Sequence, residues 1–148
     1  MIPKAFSSLM DACNTCILSC QRTIEAAEEC SQACTSQECV SESESFIELS
    51  TDSINACEAC IKICEEMIVQ FKQKEILEHM EALNKCVKVL GDCVRVCRES
   101  LDRCTRQVEC KTACQDAREV CEKAIQACDE CIESCEKHEA VYLHIDKY

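Results

Sequence analysis

Of 148 residues, 19 are cysteine, one is glycine, one is proline, and the formal net charge is −12. Cysteine above roughly 8–10% in a short chain ordinarily marks a disulfide scaffold, but such scaffolds are loop-rich, and only Pro3 and Gly91 break regular structure here. The odd cysteine count excludes complete pairing within one chain, and the acidic balance argues against nucleic acid or an anionic membrane as a partner.

The chain divides into four similar segments, read as one domain over residues 1–148. Apolar residues recur at three and four throughout, with no period-2 strand. A first helix is expected over residues 4–34. The polar stretch TSQECVSESES follows, and a second helix runs over 43–71. FKQKE leads into a third helix over 74–104, and a turn near 105–108 into a fourth over 109–139, with 140–148 as a tail. Four helices with short connections make the expected fold all-α, an antiparallel up-down-up-down four-helix bundle.

A heptad reading sorts the cysteines. In the first helix Cys13, Cys16, Cys20, Cys30 and Cys34 fall on the inward a and d positions, with Thr23 and Ala27 between. The second places Phe46, Ser50, Ser53, Cys57, Cys60, Cys64, Met67 and Phe71 there. The third places His79, Leu83, Cys86, Leu90, Cys93, Cys97, Ser100 and Cys104 there. The fourth places Cys110, Cys114, Ala117, Cys121, Ala124, Cys128, Cys131, Cys135 and His138 there. Thus 18 of the 19 cysteines share the seam, and only Cys39 lies off register. Chance would put roughly two-sevenths of them on a and d. Ordinary hydrophobes such as Ile17, Ile54, Ile61, Val87, Val94 and Ile125 flank the seam, and charged residues cover the remaining faces.

A core of Cys, Ala and Ser buries far less apolar area than one of Leu and Ile, so small hydrophobic packing does not account for this seam. Disulfides along one helix do not account for it either. Residues three or four apart have Cβ atoms about 5–6 Å apart, beyond the separation of about 3.5–4.5 Å that a bridge needs. Metal ligation does account for it. Six CxxxC pairs occur, at Cys16/Cys20, Cys30/Cys34, Cys60/Cys64, Cys93/Cys97, Cys110/Cys114 and Cys131/Cys135. Three of these extend to CxxCxxxC from Cys13, Cys57 and Cys128. Zinc hairpins and iron–sulfur motifs use other spacings.

A buried thiolate array must be neutralised. A monovalent cation replacing each thiol proton leaves it neutral, whereas Zn²⁺ in four thiolates leaves two negative charges per site. Soft ligands, single charge and low coordination number select Cu(I). Capacity would be about nine ions without sharing and approach about 19 if every thiolate bridged. Candidate ligands are the nineteen cysteines, Cys39 included. At the end where the first and third helices begin, Met10, Met67, His79 and His138 form an expected site of copper uptake, with weaker and exchangeable ligands. The first residues, MIPKAFSSLMDACNTC, hold no long apolar run, and no stretch of 18 apolar residues follows, so the expected compartment is the reducing cytoplasm. The Glu-x-x-His pairs of di-iron bundles are absent, and no enzyme activity is expected.

On its CxxCxxxC runs at Cys13–Cys20, Cys57–Cys64 and Cys128–Cys135 and its inward CxxxC pairs, the chain resembles the bacterial copper storage proteins, a family of cysteine-rich four-helix bundles. The resemblance implies a homotetramer, several Cu(I) ions along each bundle axis, and His and Met residues near an open end. Lacking an export signal, the chain is similar to the cytosolic branch. Two other readings stand beside it: a general thiolate buffer for zinc or other soft ions, and a metal-free structural bundle that oligomerises.

Overall fold

The structure is a computed structural model that describes residues 4–36, 40–72, 77–140 and 142. Four long helices follow one another: α1 (Lys4–Ser36), α2 (Val40–Lys72), α3 (Leu77–Thr105) and α4 (Cys110–Lys137). Each packs on two neighbours, in the cycle α1–α2–α3–α4–α1. Cys13 facing Cys60, and Cys30 facing Ser43, show that α1 and α2 run antiparallel. Cys93 and Cys97 on Cys121, with Cys104 on Cys114, show the same for α3 and α4. The all-α antiparallel bundle expected from the sequence is the fold observed.

Two boundaries differ from expectation. The Ser/Glu-rich stretch expected to connect the first two helices is largely helical, because α1 continues to Ser36 and α2 begins at Val40. Glu42 lies in the first turn of α2, where a carboxylate complements the helix dipole, and Ser43 carries the seam inward. The third helix begins at Leu77, and its expected first residues, 74–76, lie outside those described.

The α3–α4 connection is set by backbone chemistry. Gln107 has φ of 56°, the Val108 N–H donates to the Arg103 carbonyl at 2.8 Å, and the Gln107 N–H to the Cys104 carbonyl at 3.1 Å. This paired closure of a helix C-terminus usually carries glycine at the left-handed position. Arg103 braces the turn by bonding Glu109 at 2.8 Å and Asp116 at 3.1 Å.

Large side chains gather toward the bundle ends. Phe6, Leu9, Phe71, Leu83 and Tyr142 are buried where α1 and α3 begin, and Phe46 where they finish. Between them the axis is lined by Cys, Ala, Ser and Thr, with Leu90 as the one fully buried leucine among them. Interhelix ion pairs such as Lys85–Glu130, Arg98–Glu58 and Lys137–Glu78 are exposed and contribute little each. Stability therefore rests on a few large apolar residues. Leu90→Ala is expected to cost about 2–5 kcal/mol in denaturant unfolding of the metal-free protein, whereas Val69→Ser, at a site 62% exposed, is expected to change stability by less than about 0.5 kcal/mol.

Candidate metal centre

Seventeen of the seam cysteines are free thiols, every one of them buried. Helical periodicity turns each inward, and the antiparallel register brings sulfurs from different helices together. Sγ atoms lie 3.7 Å apart for Cys13 and Cys60 and 3.2 Å apart for Cys16 and Cys57. Cys93, Cys97 and Cys121 form a nearly equilateral triangle with sides of 3.9, 3.9 and 4.0 Å. Three sulfurs bound to one ion at about 2.3 Å stand about 4 Å from one another, so this triangle already has the dimensions of a trigonal thiolate site.

Further triads have all sulfurs within 4.8 Å: Cys13, Cys60 and Cys128; Cys16, Cys20 and Cys57; Cys20, Cys93 and Cys121; Cys60, Cys64 and Cys86; and Cys30, Cys110 and Cys114. The first and fourth share Cys60, and the second and third share Cys20. Among the described residues these groups contain cysteine alone, a donor set that fits a soft ion.

The thiols also prepare one another to lose protons. Cys121, foremost, and Cys93 donate toward Cys97 and hold it at about 5. Cys13, followed by Cys135 and Cys64, does the same for Cys131, also at about 5. Their donors become harder to ionise: Cys121 is pushed far up, first by its bond to Cys20, and Cys64 by its bond to Cys131. Hydrogen bonds between the thiols thus lower some of them and raise others.

Two cysteines stand apart. Cys34, expected as a ligand, is disulfide-bonded and half-buried. A sulfur already bonded to sulfur offers no thiolate, so Cys34 becomes a ligand only once that bond is reduced; its Sγ lies 3.9 Å from that of Cys30, one turn back along α1. Cys39 lies outside the described residues.

The expected uptake site is only partly assembled. Met67 is buried, His79 is fully buried, and the His138 side chain is 18% exposed. The two imidazoles are 5.5 Å apart between centroids. Met10 is half-buried, and Leu9 takes the inward position instead. That register follows from Cys13 and Cys16, since four residues before Cys13 is Leu9.

Nor is this end open. Tyr142, placed in the tail by sequence reasoning, is fully buried across it. Its ring makes edge contacts with Phe6, Phe71 and His79 at centroid distances of 5.5, 5.1 and 5.4 Å. Its hydroxyl meets His79 Nε2 in a very short hydrogen bond and lies 3.5 Å from Cys135 Sγ. Ser134 Oγ is 2.7 Å from His79 Nδ1, so both ring nitrogens are engaged. The signal in the sequence was spacing: Cys135, His138 and Tyr142 continue the steps of three and four.

A groove of about 310 Å³ reaches Met67 from the side, between Ala5 and Ser8 of α1 and Ile63 and Glu66 of α2. Comparison with protein-family models, curated protein sequences and solved structures finds no match to this chain.

Two outcomes follow. Tyr142→Ala should accelerate modification of the native, reduced protein by a disulfide reagent several-fold, while Tyr142→Phe, which keeps the ring, should stay near wild type. Burial holds His79 at about 4, below its ordinary 6.5, and so neutral. In the unfolded chain the ring gains its proton first. The contribution of a neutral, buried His79 to stability of the metal-free protein should therefore be fully present above pH 6.5 and be lost as pH falls toward 4. Equilibrium unfolding of His79→Gln should lack this part of the pH dependence.

Proposed function

We propose that this protein stores Cu(I), binding many ions as thiolate-bridged clusters along the bundle axis. The observation that carries the reading is the row of buried triads built only from cysteine, two of them sharing Cys60 and two others sharing Cys20. Shared sulfurs are what a bridged cluster requires, and thiolate donors at low coordination number favour Cu(I). Charge supports the same choice: each Cu(I) that replaces a thiol proton leaves the buried axis neutral, and among the described residues no Lys or Arg is buried to balance the dianion of a zinc tetrathiolate. The sequence resemblance to bacterial copper storage proteins points the same way, and brings with it a homotetramer and a cytoplasmic setting. Among the described residues no helix is long and apolar enough to cross a membrane, and the free thiols would persist in a reducing compartment.

Uptake in this reading passes through the end built by Met67, His79 and His138. Met67 at its groove offers a thioether, and the imidazoles become ligands when Tyr142 and Ser134 release His79. Such ligands hold Cu(I) more weakly than thiolate and pass it on.

Anaerobic titration of the reduced protein against a chromophoric Cu(I) chelator should show uptake of well over four ions per chain. Each ion should release up to about one proton, fewer where a thiolate is already formed. Saturation at a few ions, or retention of zinc in preference to copper, would exclude storage. Replacing Met67, His79 and His138 together with Met10 is expected to slow loading while leaving capacity nearly intact.

A further inference from the structure

The thiol array does not run unbroken from end to end. α2 and α3 bring Cys64 beside Cys86 and Cys57 beside Cys93, and the same register sets Ser50 opposite Ser100. α1 and α4 contribute Thr23 and Ala117 at that level, so one complete layer of the bundle lacks sulfur. All four residues are fully buried. Thr23 bonds Ser53 Oγ at 2.6 Å and donates toward the Leu49 carbonyl at 3.0 Å. Ser50 Oγ and Ser100 Oγ have no partner, although a buried hydroxyl left so is costly. Together they mark a polar layer that offers hydroxyls, which are poor donors for a soft ion.

Seven residues separate Cys97 from Cys104 on α3, and Cys114 from Cys121 on α4. At the helical rise this is about 10 Å along the axis. One ion spans two sulfurs at most about 4.6 Å apart, so no single metal bridges the layer. The triad Cys30, Cys110 and Cys114 shares no member with the others; the Cys60-linked and Cys20-linked pairs share none either, but a Cys16–Cys128 hydrogen bond joins those two.

We propose that Cys30, Cys104, Cys110 and Cys114 form a second, self-contained Cu(I) site that fills independently of the main array across the Thr23–Ser50–Ser100–Ala117 layer. This rests on the copper reading above and divides its cargo between two compartments. Cys104 completes the group, with its Sγ 2.9 Å from Cys110 and 3.9 Å from Cys114. Ser43 Oγ sits 3.3 Å from Cys110 and 3.5 Å from Cys30. The small compartment also has its own approach. A groove of about 320 Å³ between α1 and α4 has Cys114 in its wall, flanked by Ala27, Gln32 and Gln115. An ion pair of 3.3 Å between Arg118 and Glu28 spans it. Cys114 is itself fully buried, so this groove would lead ions to the far thiols, without passing the hydroxyl layer, only once local opening uncovers that sulfur.

The test is Cu(I) titration of reduced wild type, the double variant Cys110→Ser/Cys114→Ser, and Ser50→Cys/Ser100→Cys, each checked for helicity by circular dichroism. The far group holds four of the seventeen free thiols. Cys110→Ser/Cys114→Ser should therefore lose about a quarter of capacity, with the binding curve of the remaining ions superimposable on wild type. Ser50→Cys/Ser100→Cys, which puts sulfur in the gap, should gain capacity and merge the two loading phases into one. A loss well beyond a quarter, a displaced curve for the remaining ions, or two unmerged phases in the serine-to-cysteine variant would overturn the division while leaving storage standing. Failure of wild type to take up more than a few ions would overturn both.

Discussion

Sulfur-to-sulfur proximity across helices is the constraint on which the other features of this bundle depend. A seam of thiols cannot supply the apolar burial that branched side chains give, yet it must still be closed to water and free of unpaired charge. The chain meets the first demand with large residues concentrated toward its ends, and with isoleucines and valines flanking the seam between helices. Within the array, hydrogen bonds from neighbouring thiols make Cys97 and Cys131 easier to ionise. Metal ions would replace these protons and supply the binding energy that the thin apolar core does not.

The two ends are built differently. Where α1 and α3 begin, aromatic rings close the axis, and the buried His79 is held by Tyr142 and Ser134. Where they finish, a short brace of Arg103, Glu109 and Asp116 fixes the turn just outside Cys104 and Cys110. The grooves differ in the same sense: one has a thioether in its wall at Met67, the other a thiol at Cys114. In the copper reading this places weak, exchangeable ligands at one door and a strong ligand at the other.

Most of the seam was legible in the sequence, because steps of three and four fix which face a residue occupies and cysteine marks that face without ambiguity. Composition misled where it was trusted over spacing. The SESES stretch looks like a connection, but Ser43 holds a seam position and is buried, in step with Phe46. Tyr142 lies in the AVYLHIDKY segment and was read as tail, although it stands seven residues after Cys135. Met10 was chosen for its chemistry, while the register beside it selected Leu9. The sulfur-free layer was out of reach for a different reason. Thr23, Ser50, Ser100 and Ala117 were each visible as a gap on one helix, but that they share a level depends on interhelix register, which emerges only from packing.

The central claim is that the cargo is Cu(I) held by cysteine sulfur alone along the axis. X-ray absorption at the copper edge on the fully loaded, reduced protein addresses it most directly. The account predicts a Cu(I) edge with a shell of two to three sulfurs at about 2.2–2.3 Å and copper neighbours beyond it from bridging thiolates. A first shell dominated by nitrogen or oxygen, or one without copper neighbours at full loading, would contradict it.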